Sequence, residues 1–260
     1  MTIYTPAQPS VSSPVNVTYN TRTTLAPSTV VHDSLVWYDR NNNPVDTGLS
    51  YTTGYLYAND TFYVKGFAPV EDFYSVGNLE AFNAYNVYPS PYNTATQYGR
   101  EQYIITADEL RAAGHSAGKI LLVSFYLENI LVASGSVSYN NYKIYMGRTS
   151  QTSYSDGTWL PANVVYTSNS LTLTNSNYRQ NWVKHTLDTP FEWDGVSNIV
   201  VGITRSQAST SYASGVQSRY TVTPTRRALY LKGSAAAIIG DNPAAGSLSA
   251  NRPDIRFGFS

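Results

Sequence analysis

At 260 residues and 28.6 kDa, the chain is long enough for two β domains and for a core that needs no metal or disulfide staple. Charged residues are 13% of it, with 17 Lys+Arg against 17 Asp+Glu and no cysteine. Zero net charge excludes a nucleic-acid binder that relies on a global basic field, and zero cysteine excludes disulfides, thiolate metal sites and cysteine nucleophiles. The 23 Tyr against 8 Phe, set among Ser, Thr and Asn, suit adhesion or assembly, because tyrosine offers a flat apolar face and a hydroxyl together.

The start, Met1-Thr2-Ile3-Tyr4-Thr5-Pro6, has neither the basic residues nor the apolar run of a signal peptide. Apolar blocks such as Ile120-Leu121-Leu122-Val123 are far below the ~20 residues that span a bilayer, so no membrane insertion is expected. The chain is then either a cytoplasmic product or a piece of a longer exported protein. Residues 1–14, with Pro6, Pro9 and Pro14, read as an extended arm.

Residues 15–68 read as β structure. Ser34-Leu35-Val36-Trp37-Tyr38 is a strand, and Asp39 to Pro44 a turn built from side chains that bond their own backbone. Val45 to Gly48, Ser50 to Thr53 and Thr61 to Lys65 supply further strands. The pattern Trp37-Tyr38-Asp39, Val45-Asp46-Thr47-Gly48-Leu49-Ser50-Tyr51-Thr52-Thr53, Leu56 and Thr61-Phe62-Tyr63-Val64 resembles the short immunoglobulin-like modules of Bacteroidetes surface proteins. That resemblance implies an Ig-like sandwich ending near Ala68-Pro69-Val70.

Residues 69–260 carry one predicted helix. Thr106-Ala107-Asp108-Glu109 is a capping box, Leu110 to Ala113 continue it, and Gly114 is placed to stop it. The rest reads as strands: Lys119 to Leu127, Asn141 to Met146, Trp182 to Leu187, Asn198 to Ile203, Ala228 to Leu231 and Asp254 to Phe259. Turn signals fall at Asp156-Gly157, Asp194-Gly195 and Asn242-Pro243. Many strands with long connections predict a jelly-roll β-sandwich.

Within this region, Gln102 to Leu110, Lys143-Ile144-Tyr145-Met146-Gly147-Arg148-Thr149, Trp159-Leu160-Pro161, Leu187-Asp188-Thr189-Pro190-Phe191 and Arg252-Pro253-Asp254-Ile255-Arg256-Phe257 resemble the jelly-roll repeat of large Bacteroidetes extracellular proteins. The resemblance implies display outside a cell and adhesion, and it transfers no catalytic residues. Those bacterial proteins carry signal peptides and sorting domains. A virion protein of a phage infecting Bacteroidetes, built in the cytoplasm, would combine both modules without either.

Candidate chemistry is sparse. Gly114-His115-Ser116-Ala117-Gly118 spells G-x-S-x-G, but a nucleophile elbow needs a strand before the Ser and a helix after it, and here the order is reversed. Glu192 and Asp194 share one face of an extended segment, a spacing that serves glycosidases or cation sites, although Asp194-Gly195 is first a hairpin signal. A structural Ca²⁺ there or at Asp156 is the only metal the sequence leaves room for, and no other cofactor is expected. His32, His115 and His185 each stand alone, and His185 reads as a sheet-surface side chain. Arg226, Arg227 and Lys232 are too few for a nucleic-acid patch.

Tyrosines remain. Tyr74, Phe82, Tyr85, Tyr88, Tyr92 and Tyr98 crowd the segment between the two regions, and Tyr85, Tyr88, Tyr92 and Tyr98 are the expected binding residues. Tyr139, Tyr142 and Tyr145 form a lesser cluster, in which 142 and 145 cannot share a strand face. The sequence thus predicts an all-β, non-enzymatic surface-display protein: an Ig-like sandwich, then a jelly-roll with one short helix. Its expected place is a virion surface, as a decoration or fibre-associated protein in an oligomeric assembly with other structural subunits. The alternative is a bacterial cell-surface adhesion module, with glycan as its candidate ligand, excised from a longer secreted protein. A glycan-active enzyme is the third reading.

Overall fold

The structure is a computed structural model and describes residues 10–11, 14–29, 34–67, 72–79, 81–82, 89–207 and 215–259. It is all-β with sandwich-like packing, and it divides into two compact units, Met1–Val70 and Glu71–Ser260.

Among the described residues the first unit holds β1 (Ser10–Val11), β2 (Thr24–Leu25), β3 (Pro27–Thr29), β4 (Ser34–Tyr38), β5 (Pro44–Thr47), β6 (Tyr51–Thr52) and β7 (Tyr63–Phe67). β4 is the centre of a three-stranded antiparallel sheet with β5 and β7 on its edges, while β2 pairs with β6 and β1 with β3. Alternation along β4 buries Leu35 and Trp37, because successive strand residues face opposite sides. Trp37 Nε1 donates to the Gly48 carbonyl at 3.0 Å, and Tyr51 packs 6.0 Å from Trp37 and 5.2 Å from Phe62. The turn after β4 forms around Asp39, whose Oδ1 accepts from the amides of Asn41 and Asn43 at 2.9 and 2.8 Å.

The second unit continues with β8 (Asp72–Val76), β9 (Ala81–Phe82), β10 (Tyr98–Ile105), α1 (Ala107–Ala112), β11 (Gly118–Ile130), β12 (Ser136–Thr149) and β13 (Asn163–Thr174). After α2 (Asn175–Tyr178) come β14 (Asn181–Trp193), β15 (Asn198–Ser206), β16 (Val216–Val222), β17 (Ala228–Gly233), a 3₁₀ turn (Ala236–Ile239), β18 (Ser247–Ser249), β19 (Asn251–Pro253) and β20 (Ile255–Phe259). One sheet runs β13-β12-β15-β10-β17-β18. The other is built on β11, which has β14 along one edge and β20 followed by β16 along the other. Side chains from both sheets meet in one core, including Tyr103, Ile105, Ile144 and Val201 from the first and Val123, Phe125, Val183 and Phe257 from the second.

Strand β12 changes phase part-way. Val137 and Tyr139 point inward, and so do Tyr142, Ile144 and Met146. The slip is a bulge: Asn141 takes φ +50° and the pairing with β15 shifts between Asn140 and Lys143. One extra residue turns the odd spacing of Tyr139 and Tyr142 into a shared face. Tyr142 and Tyr145 do lie on opposite faces, and Tyr145 is half-buried on the outer one.

The capping box at α1 forms: Thr106 Oγ1 accepts from the Glu109 amide at 3.3 Å, and Glu109 Oε2 accepts from the Thr106 amide at 2.9 Å. The exit is a Schellman turn, with the His115 amide bonded to Leu110 O, the Gly114 amide to Arg111 O, and Gly114 at φ +102°. The expectation of a single short helix is corrected by α2 and the 3₁₀ turn. Neither has a side-chain N-cap bond, so neither left a local signature. Tertiary bonds hold α2 instead, since the Asn175 side chain bonds both the amide and the carbonyl of Ile130.

Glu109 also carries a tertiary load. Its carboxylate takes Arg252 at 2.9 Å through both oxygens and Arg227 at 2.9 Å. Burial pushes this carboxyl up, but the two arginines and the Thr106 amide outweigh it and hold it below its usual range. Arg252 is 1% exposed, and removing one partner of a buried pair strands the other charge. Glu109→Ala is therefore expected to lower stability by about 2–4 kcal/mol in urea denaturation, whereas Asp108→Ala, at an exposed ion pair, should cost under about 1 kcal/mol.

Candidate functional site

The predicted binding tyrosines separate on inspection. Tyr85 and Tyr88 lie outside the described residues. Tyr98 is half-buried at the start of β10. Tyr92 has no exposed surface: it sits between the sheets, 6.1 Å from Phe125 and 6.0 Å from Tyr142. Its hydroxyl pairs with His185 Nε2 at 2.8 Å, and its carbonyl accepts from the Tyr139 hydroxyl at 2.5 Å. Tyr92 is a core residue that offers nothing to a partner in solution.

His185 is likewise inside rather than on the sheet surface. It is 1% exposed and stacks on Tyr142 at 5.3 Å and 13°. Burial alone drives its pKa down to about 3, so it is neutral. The signal was present in the alternation of β14, where Val183, His185 and Leu187 share the buried face. Beside this group, Glu101 is buried on β10. It accepts from the Ser90 amide at 3.0 Å and from the Tyr103 hydroxyl, and burial pushes its carboxyl up. Such a network fixes a core, because each polar member has to find its partner inside. Tyr92, Tyr103 and Tyr142 have no exposure, and Glu101 and His185 next to none.

Glu192 and Asp194 do not converge on a common ligand. Glu192 is exposed and lies 3.6 Å from Lys119, its cross-strand neighbour on β11. Asp194 caps its own turn, accepting from the Val196 and Ser197 amides at 3.0 and 2.7 Å and from Ser197 Oγ at 2.6 Å. The Ser197 bonds, with the Val196 amide, hold its carboxyl at about 2. Asp156 spends its Oδ1 on the Thr158 amide. Among the described residues no group of three or more His, Asp or Glu is placed to hold a metal ion. Ser116 is exposed between α1 and β11, in the reverse order to an elbow, while the neighbouring His115 ring lies 4.1 Å from Tyr74 and 3.8 Å from Phe259.

The surface aromatics lie elsewhere, in the first unit. Residues 19–25 run antiparallel to residues 51–57. The Asn20 amide bonds Leu56 O at 2.7 Å, the Leu56 amide bonds Thr21 O at 2.9 Å, and the Thr53 amide bonds Thr23 O at 2.9 Å. Tyr55 and Tyr57 stand on either side of the bridged Leu56. Tyr19 packs edge-on against Tyr57 at 5.9 Å, and the Arg22 guanidinium lies 4.5 Å over the Tyr55 ring. Tyr19, Tyr55 and Tyr57 are 73%, 54% and 59% exposed. A group of large rings left this open marks a contact surface more often than an isolated exposed residue does. Sequence reasoning passed over it because it looked to the density of tyrosines along the chain, and here one ring comes from a segment far from the other two. The usable signal was the pair of rings in Tyr55-Leu56-Tyr57.

Comparison of the chain with protein-family models, with curated protein sequences and with solved structures returned no match.

The buried histidine has a pH signature. The unfolded chain binds a proton at His185 as pH falls below 6.5, whereas the folded chain resists until about 3. Stability is therefore lost as pH falls through that window and regained as it rises, at of order 1 kcal/mol per pH unit. Glu101 and Asp254, whose carboxyls burial pushes up, act in the opposite sense. The measurement is therefore a difference: His185→Gln, which keeps a polar partner for Tyr92 but cannot titrate, should show a flatter slope of unfolding free energy between pH 6.5 and 4 than the unsubstituted chain.

Proposed function

We propose that this chain is a non-enzymatic structural protein displayed on a surface, a virion decoration or fibre-associated protein of a phage infecting Bacteroidetes. In this reading it holds on to sugar-bearing surfaces through Tyr19, Arg22, Tyr55 and Tyr57. The observation that carries the adhesive part is the open aromatic face of the first unit, where three rings and a cation are presented to solvent. Support also comes from the second unit, whose described His, Glu and Arg groups inside the sandwich are engaged in holding strands together, as a rigid support requires. The virion part rests on the resemblance of the sequence to Bacteroidetes surface modules, and fold likeness bears on function only by analogy.

Two measurements test it. In the native source the protein should co-purify with virus particles at a fixed copy number. Its absence from particles, with recovery from a bacterial envelope, would replace this reading by that of a bacterial adhesion module. The double substitution Tyr19→Ala and Tyr57→Ala should weaken binding to host cells about tenfold or more, given ~1–3 kcal/mol for burying each ring, and leave the Tm within about 2 °C. Unchanged cell binding would remove the aromatic face from the proposal.

A further inference from the structure

Resting on that reading, we infer that the sugar held by the first unit is acidic: a carboxylate-bearing polysaccharide, stacked on Tyr57 and Tyr19 and paired through its carboxylate with Arg22. The argument begins with the charges of this unit. Its described cations are Arg22, Arg40 and Lys65. Arg40 is committed to Asp60 at 2.7 Å, and Lys65 donates to Asn42 Oδ1 at 3.2 Å while lying over Tyr38. The described carboxylates are occupied as well, with Asp39 inside its turn and Asp46 and Asp60 each accepting the amide of the following residue. Arg22 is different. Among the described residues its contact is the Tyr55 ring, and no carboxylate lies within ion-pair distance of it.

A guanidinium seated over a ring keeps its in-plane N–H fork directed outward, and that fork matches a carboxylate in bidentate geometry. The ring beneath limits the side-chain freedom that an exposed arginine would otherwise lose on binding. In the same pair of segments Tyr57 and Tyr19 are exposed rings, and an open tyrosine ring is what the C–H face of a pyranose covers. Ring and charge on one ligand call for a sugar that carries its own carboxylate. A neutral glycan would use the rings and leave the fork unmet, whereas a simple anion would use the fork and ignore the rings.

The test is equilibrium binding of the full chain to polygalacturonate, alginate and hyaluronan, with methyl-esterified polygalacturonate and dextran beside them. The expected result is at least one acidic polymer bound about tenfold tighter than its neutral counterpart, the scale of one charge-assisted hydrogen bond. That preference should shrink as salt rises, since exposed charge is screened. Arg22→Gln should erase the preference for the acidic polymer while leaving the Tm unchanged, and Tyr57→Ala should weaken binding to acidic and neutral polymers alike. Equal binding of acidic and neutral polymers, or a preference that survives Arg22→Gln, overturns the acidic assignment and leaves the aromatic face standing. Binding to none of the polymers, with host-cell attachment that persists after polysaccharide is stripped, overturns both and makes the occupant a protein.

Discussion

Strand β20 is paired on both edges, to β11 through Ile120–Phe125 and to β8 through Asp72–Val76, so the last strand of the chain lies inside a sheet. Ile255 and Phe257 are fully buried, Phe259 stacks on His115 at the exit of α1, and on the opposite face Arg256 lies 4.3 Å over Trp182. Just upstream, Arg252 takes Glu109 and the Ile104 carbonyl. The core of the second unit therefore needs residues 252–259 in place, and most of its strand pairings are distant in sequence. Such a topology folds slowly because loop closure is lost before contacts reward it. Gly77 shows how tight the seam is: it holds φ +127°, and a Cβ there would fall 1.8 Å from Asp254 Oδ1.

The chemistry of the chain is divided by depth. In the second unit Tyr92, Tyr103, Tyr139 and Tyr142 have no exposure, and the hydroxyls of the first three are bonded to a His, a Glu and a backbone carbonyl. In the first unit Tyr19, Tyr55, Tyr57 and Tyr63 are half exposed or more. One residue type thus occupies two environments, because a phenol can be satisfied inside a core by one polar partner and can also stand at the surface with its hydroxyl in water. A tyrosine-rich composition conceals a buried set in the second unit and an exposed set in the first.

Legibility followed the range of the interaction. The capping box at Thr106 and Glu109 and the glycine stop at Gly114 could be read off the chain, since their partners are a few residues away. So could the Asp39 turn, the Asp194-Gly195 turn, and the reversed order that disqualifies Ser116 as a nucleophile. The α2 turn could not be read, because what secures it is Asn175 reaching Ile130. His185 shares the buried face of β14 with Val183 and Leu187, a placement the alternation carries and the polarity of the side chain obscures. The shared face of Tyr139 and Tyr142 was hidden by a bulge at Asn140 and Asn141, where a single residue with positive φ resets the period of the strand.

By itself the sequence determined the all-β class, the local caps and turns, and the lack of any cysteine chemistry, since each depends on composition or on neighbours within a few positions. Tertiary structure alone decided which tyrosines are core and which are surface. It also decided that Glu109 serves Arg252 and Arg227 as well as its own helix, and that Arg22 comes to rest on Tyr55. Those outcomes depend on which strands lie side by side, and strand pairing joins residues whose separation along the chain carries no local trace.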